Sequence, residues 1–192
     1  FQEVEWIKYL SGDRIVVPGI FKPFVSRLEF RVVGNLDQMK YIFFGRGTNV
    51  WFRIRCLLRD SGYIIRFELR KTSTQNSSFD YGQRIAAFDS LLVFEPRNGK
   101  YLTICNGVEQ EVTFAPWVYD DFVNDFMVFG GSSSGSVYQI YEMIATDVRD
   151  GSLMFDFVPC YRKTNGFCGF YDLVSQQFFS AQKNVGEYEH GP

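Results

Sequence analysis

The sequence predicts an all-β fold, an antiparallel β-sandwich of the jelly-roll type. Polar and apolar residues alternate in short runs, as they do in strands with one buried face. Turn-forming dipeptides such as Asp150-Gly151 and Asn165-Gly166 separate these runs. No long stretch carries the apolar stripe of an amphipathic helix. We therefore expect about a dozen short strands that pack as two antiparallel sheets.

The composition fits one packed core. The chain has 192 residues, enough to bury about 70% of its unfolded surface, and no composition break marks a second domain. We expect a single domain over residues 1–192, in which 180–192 form a C-terminal extension. Aromatic residues make up 18% of the chain and include 21 Phe and 11 Tyr. Because they are spread along the whole chain, most of them must fill the space between the sheets.

The strands follow from the alternation and the turns in chain order. The predicted strands are 4–10, 14–17, 27–33, 41–44, 50–58, 63–69, 84–88, 91–94, 101–105, 112–114, 126–129, 140–144, 153–158 and 167–174. The strands at 50–58 and 63–69 form a hairpin, and its charged face, with Arg53, Arg55, Arg66 and Glu68, is expected to be solvated. Residues 71–83 and 115–124 are predicted as loops, and 140–179 as a β-meander.

Charge and hydropathy exclude two classes of partner. The chain has 20 basic and 22 acidic residues that are interspersed, and its net charge is -2, so nucleic acid is disfavoured. No apolar run is long enough for a transmembrane helix, so no membrane insertion is expected. The sequence opens at Phe1 without an initiator Met or a signal segment. We expect a mature fragment of a secreted, cell-surface or virion protein.

The cysteine and histidine pattern predicts neither a metal nor a cofactor. The four cysteines show no CxxC spacing and there is one His, so a structural zinc site is not expected. No calcium-binding loop pattern is present either. If Asn165-Gly166 is a two-residue turn, Cys168 faces Lys163 rather than Cys160. Free thiols are therefore predicted at Cys56, Cys105, Cys160 and Cys168.

Two stretches at opposite ends of the chain resemble a known family. EVEWIKYLSGDRIVVPGIFKP (3–23) and FDFVPCYRKTNGFCGFYDLVSQQFF (155–179) are similar to the start and the last hairpins of a concanavalin A-like, laminin-G-like jelly-roll module. Such modules are common in gut bacterial surface proteins and in their phages. Departures from the family pattern are Trp6, Cys168 and the Val17-Pro18-Gly19 stretch. The resemblance implies a concanavalin A-like sandwich, a superfamily that contains lectins, carbohydrate-binding domains and laminarinase-type hydrolases.

Catalytic residues are not predicted. A glycoside hydrolase needs two carboxyl groups at catalytic spacing, and the E-x-D-x-x-E pattern typical of such sandwiches is absent. Glu68 stands alone, and the adjacent Asp120 and Asp121 would point to opposite faces of a strand. His190 lies in a polar tail, 187–192, that is expected to be mobile. We therefore expect the chain not to be an enzyme.

Two groups of residues have the composition of a sugar-binding site, an exposed aromatic ring flanked by polar groups. In each group the Trp has a second interpretation: Trp117 could close the end of the sandwich, and Trp51 could pack against a second layer or a neighbouring subunit. The first group is Trp117, Tyr119, Asp120, Asp121 and Asn124, and the second is Arg46, Asn49, Trp51 and Arg53.

These observations favour a non-catalytic, lectin-like module that attaches a phage or bacterial surface protein to glycans or surface polysaccharide. A single sugar contact is weak, so display in several copies, beside neighbouring subunits of a fibre or surface assembly, is expected. The alternative is a structural protein–protein module of a virion or cell-surface assembly. A glycoside hydrolase is the third hypothesis.

Overall fold

The structure is a computed structural model in which β-strands dominate. It describes residues 1–11, 15–22, 25–35, 40–46, 51–59, 62–70, 76–80, 88–98, 100–105, 107–113, 124–128, 137–180 and 187–192. The strands in these ranges are β1 (Gln2–Glu3), β2 (Ile7–Ser11), β3 (Ile15–Phe21), β4 (Ser26–Asn35), β5 (Lys40–Arg46), β6 (Trp51–Arg59), β7 (Gly62–Arg70), β8 (Asn76–Asp80), β9 (Phe88–Arg97), β10 (Lys100–Cys105), β11 (Val108–Val112), β12 (Asn124–Val128), β13 (Val137–Asp147), β14 (Leu153–Tyr161), β15 (Cys168–Asp172), β16 (Gln177–Ser180) and β17 (Glu187–His190).

The described strands form two antiparallel sheets. The large sheet has 11 strands, with β11-β10-β9-β4-β13-β14-β15-β16 as its main path. Off this path, β1 pairs with β14, β2 pairs with β13, and β17 pairs with β2. The small sheet has six strands in the order β3-β12-β5-β6-β7-β8. The all-β sandwich predicted from the alternation is therefore confirmed. None of the described segments is a helix long and apolar enough to cross a membrane.

The core lies between the inner faces of the two sheets. Phe94 on β9 is 1% exposed, and its ring centroid lies 4.7 Å from that of Phe52 and 5.6 Å from that of Phe67, both on the small sheet. Its ring also stacks on Tyr101 of the large sheet at 4.5 Å. A second aromatic stack joins Phe155 and Phe157 on β14 at 4.4 Å. The abundant phenylalanines thus fill the space between the sheets.

The predicted C-terminal meander is present as β13 to β16, each strand pairing with the next. Gly151 and Gly166 have φ of 77° and 71°, the left-handed conformation that favours glycine in these turns. The second turn is longer than the predicted two residues. The hydrogen bond that closes it runs from Arg162 N to Phe167 O at 2.9 Å, so four residues lie between the two. Cys168 consequently pairs with Tyr161, so the prediction that it faces Lys163 is wrong.

The thiol prediction holds for the cysteines whose side chains are described. Cys105, Cys160 and Cys168 are buried and form no disulfide. Cys160 and Cys168 sit on neighbouring strands, but Cys160 pairs with Gly169, so the two side chains point to opposite faces of the sheet. Burial raises the pKa of Cys160 to about 11. For Cys56 only the backbone falls within the described structure.

Two expectations for the small sheet were wrong. The predicted polar loop 71–83 contains strand β8, which pairs with β7 because Phe79 packs on the core and Asp80 accepts two hydrogen bonds from Arg66. The charged face of the β6–β7 hairpin is not fully solvated. Glu68 is 7% exposed, and its Oε2 lies 4.0 Å from Nε of Arg53 directly across the hairpin.

The polar C-terminal tail also belongs to the large sheet. β17, within the predicted extension, pairs with β2, and His190 lies opposite Ile7. The His190 ring stacks on Tyr161, with centroids 4.6 Å apart and an interplanar angle of 11°. His190 was expected in a mobile tail and is instead the last residue of a paired strand, which holds the end of the described chain beside β2.

Candidate functional site

A β-bulge in β13 redirects two adjacent side chains to one face of the large sheet. Ile140 pairs with Val32 and Met143 with Phe30, so Tyr141 and Glu142 together lie opposite the single residue Arg31. Ile140 and Met143 are both 0% exposed and therefore point into the core. Between them, Tyr141 and Glu142 must both point outward, whereas an unbulged strand would turn one of them inward.

The large sheet divides next to this bulge. The first half of β13 pairs with β2 and its second half with β14, while the end of β14 pairs with β1. The N-terminal segment therefore enters between β13 and β14, and Val4 N donates a hydrogen bond to Pro159 O at 3.0 Å. Where the strands separate, the outer face of the sheet, the face turned away from the small sheet, is indented.

The indentation, which we call the outer groove, has a volume of about 360 Å³. Its apolar surface comes from Leu91, Ile144, Val158 and Pro159. Its polar lining comes from Tyr141 and Glu142 of the bulge, Glu29 and Arg31 of β4, and Glu3 and Glu5 of the N-terminal segment. A concave surface with apolar walls and a few convergent polar groups is the usual form of a small-molecule site.

Arg31 fixes one side of the outer groove. Its guanidinium lies over the Tyr141 ring, 4.5 Å from the centroid. The same guanidinium donates two hydrogen bonds to Asp89, Nε to Oδ1 at 2.9 Å and Nη2 to Oδ2 at 2.8 Å. These hydrogen bonds lower the pKa of Asp89, and Arg31 is held in one orientation by them. The Tyr141 ring is thus positioned from the neighbouring strand.

Glu142 and Asp156 form a carboxyl pair, of which only Glu142 lines the groove. The two residues come from adjacent strands, β13 and β14, and their carboxyl groups are within hydrogen-bonding reach of each other. Burial is the main cause that raises both pKa values, and the charge of Asp156 further raises that of Glu142. Each carboxyl group therefore takes up its proton at a higher pH than an isolated carboxyl group does, and because the two groups interact, their titrations are coupled.

Asp172 lies behind this pair and has a structural role. It is 0% exposed, and its carboxylate accepts hydrogen bonds from the backbone N–H groups of Asp156 at 2.9 Å, Val174 at 3.1 Å and Ser175 at 3.1 Å. These bonds close the turn between β15 and β16 and attach it to β14. The charge of Asp172 also raises the pKa of Asp156, after the larger effect of burial.

The first predicted sugar site falls mostly outside the described residues. Trp117, Tyr119, Asp120 and Asp121 all lie there, and Asn124 is the first residue of β12, paired with Phe21. The proposed site on this segment therefore stays a prediction.

The second predicted group is partly brought together by strand pairing. Arg46 pairs with Asp125 on one side and with Trp51 on the other, at one end of the small sheet. Asn49 lies outside the described residues. Arg53 lies against Glu68, with its side chain 12% exposed. The backbone thus clusters Asn124, Arg46 and Trp51, and a ligand role for this cluster also stays a prediction.

The residues of the outer groove were not singled out in the sequence. The available signal was in the segment 140–145, IYEMIA, where the apolar Ile140 and Met143 are three residues apart and so break the alternation of a regular strand. No three His, Cys, Asp or Glu side chains in the described ranges are arranged to hold a metal ion.

Comparison with solved structures identifies the fold. Domains LG4-5 of the mouse laminin α1 chain superpose with a TM-score of 0.57 at 13% sequence identity, covering 79% of this chain and 43% of that chain. The chain thus spans less than half of that laminin fragment. The fold is the laminin-G-like, concanavalin A-like jelly roll that the two terminal motifs predicted.

Two more distant likenesses come from carbohydrate-active enzymes. The catalytic domain of an endo-1,3-β-glucanase from Thermotoga petrophila has a TM-score of 0.47 at 11% identity, covering 74% of this chain and 77% of that chain. Domain 4 of a Geobacillus stearothermophilus arabinanase, solved with arabinotriose, has a TM-score of 0.46 at 19% identity, covering 67% and 66%. No protein-family model and no curated protein matches the sequence.

Proposed function

We propose that the chain is a non-catalytic, lectin-like module that binds glycans in the outer groove. The observation that carries this proposal is the bulge of β13, which places Tyr141 and Glu142 side by side on the outer face. An aromatic ring next to hydrogen-bonding carboxyl groups suits a sugar, because the ring contacts C–H groups and carboxyl oxygens accept hydroxyl protons. The groove volume of about 360 Å³ suits a short oligosaccharide segment.

The carboxyl pair supports binding rather than hydrolysis. Catalytic carboxyl groups of glycosidases stand about 5–5.5 Å apart for retention or about 6.5–9.5 Å apart for inversion. Glu142 and Asp156 are in hydrogen-bond contact, which is closer than either arrangement. Two carboxyl groups in contact leave no room between them for a scissile glycosidic bond.

The biological setting belongs to the same proposal. The terminal motifs favour a phage structural protein or a gut bacterial surface protein that works at the cell surface, on a virion or outside the cell. Weak binding at one groove would gain strength from display beside neighbouring subunits. No nucleic acid partner is proposed, because the overall charge of -2 offers no attraction for phosphates.

Glycan-array binding of the wild-type chain and of single variants tests the proposal. Tyr141→Ala should lose binding while its thermal midpoint stays close to wild type, whereas Trp117→Ala and Trp51→Ala should bind normally. Absence of binding across the array, or loss only in a Trp variant, would reject the outer groove as the site. Release of sugar from a bound polysaccharide, abolished by Glu142→Gln, would show a hydrolase instead.

A structural protein–protein module is the second candidate, favoured by apolar side chains at one end of the large sheet. The tips of the β13–β14 and β15–β16 hairpins lie at this end and expose Val148 by 41%, Leu153 by 51%, Leu173 by 52% and Val174 by 46%. A stable oligomer in solution that Leu173→Ser dissociates would support this function. A monomer at high concentration would count against it.

A further inference from the structure

Building on the glycan-binding function proposed above, we infer that the outer groove selects saccharides that carry a protonated amine, such as de-N-acetylated hexosamine units. Saccharides with carboxylate or sulfate groups are excluded. Two features lead to this selectivity: uncompensated negative charge along the groove, and acceptor oxygens that converge near the bulge.

Some of the charges in the groove are neutralised by neighbouring residues, and others are not. Glu29 forms an ion pair with Arg27, whose Nη2 lies 2.5 Å from Glu29 Oε2. Arg31 is committed to Asp89 by two hydrogen bonds. In the ranges that the structure covers, Glu3, Glu5 and Glu142 form no ion pair. The groove therefore retains net negative charge.

Hydrogen-bond acceptors in the groove also favour an ammonium group. Glu142 is exposed and lines the groove together with Glu3 and Glu5, so its carboxylate oxygens are open to a donor on a ligand. An ammonium group has three hydrogen-bond donors and a positive charge. It can therefore donate to several carboxylate oxygens at once, whereas a sugar hydroxyl donates to one. An acidic sugar would instead place its charge beside Glu3, Glu5 and the carboxyl pair, where like charges repel.

The apolar and aromatic surface of the groove favours an amino sugar over other cations. The groove offers the Tyr141 ring and apolar walls from Leu91 and Val158 as well as carboxylates. A flat, rigid ring with an attached amine matches this mixture, whereas a flexible lysine side chain loses rotamer freedom when it is held. One charge-assisted hydrogen bond of this kind raises affinity by about tenfold.

Calorimetric titration with four probes at low ionic strength and near-neutral pH tests the inference. The probes are the trimers of glucosamine, N-acetylglucosamine and galacturonic acid, and tetralysine. We expect the glucosamine trimer to bind about tenfold tighter than the N-acetylglucosamine trimer, with the galacturonic acid trimer weaker than both and tetralysine weaker than the glucosamine trimer. High salt should reduce this preference because it screens the charges.

Variants connect the preference to the groove. Glu142→Gln and, independently, Glu5→Gln should reduce the preference for the glucosamine trimer, while Glu109→Gln, an exposed acid on β11 outside the groove, should leave it unchanged. Equal affinity for all three trimers, or tetralysine binding as tightly as the glucosamine trimer, would overturn the inference. If no saccharide binds, the proposed function fails as well.

Discussion

Replacing Phe94 by Ala should destabilise the sandwich more than almost any other single substitution on β9. Phe94 is 1% exposed, and its ring contacts Phe52 and Phe67 of the small sheet and Tyr101 of the large sheet. Truncation of a buried Phe costs about 3–5 kcal/mol, because apolar contact is lost and a cavity remains. We expect the upper half of this range, since the ring bridges both sheets and the surrounding strands cannot close the space.

Urea unfolding followed by intrinsic fluorescence measures this loss as a shift in the midpoint at constant slope. The matched control is Leu91→Ala on the same strand, since Leu91 is 45% exposed on the outer face and its truncation should cost less than about 1 kcal/mol. A domain of this size is stable by about 5–15 kcal/mol, so the variant should still fold. A loss below about 1 kcal/mol for Phe94→Ala would refute the packing of the two sheets around this ring.

Three further substitutions probe charged groups. The hydrogen bonds from Arg149 lower the pKa of Asp147 to about 2, so Asp147→Asn should cost about 1–2 kcal/mol at neutral pH, and urea unfolding should show this difference vanish as pH falls through that value. Because folding raises the pKa of Glu142, the free energy of unfolding of the wild-type chain should increase as pH falls from neutral toward 4.5. Urea unfolding over this pH range should show a smaller increase for Glu142→Gln. Asp172→Ala should cost about 3 kcal/mol and speed amide hydrogen exchange in the β15–β16 turn, because three backbone donors lose their acceptor.

The elements that could be predicted from sequence are those with local signals. The meander β13 to β16 follows from alternation and from two glycine turns, whose φ values are those expected of glycine. Strand β8 was missed because its sequence, NSSFD, is polar, and its pairing depends on Arg66 and on a core contact of Phe79. Such a strand is stabilised by its neighbour rather than by its own pattern.

The outer groove shows why a site is harder to predict than a fold. The bulge at Tyr141 and Glu142 exists only relative to the pairing partner β4, and the division of the sheet depends on where the N-terminal segment enters. The charge pairs are equally non-local, since Arg31 and Asp89 are 58 residues apart. The predicted site residues Trp51 and Trp117 are recognisable from their neighbours in the sequence, whereas the groove residues become neighbours only after folding.

Nuclear magnetic resonance tests most directly the proposal that the outer groove binds glycans without hydrolysing them. An isotope-labelled sample would be titrated with the glucosamine trimer, while the ligand's own signals are followed over several days. We expect amide shifts at Arg31, Tyr141 and Glu142, with the trimer intact throughout. Shifts confined to Asn124 and Trp51, or progressive cleavage of the trimer, would contradict the claim.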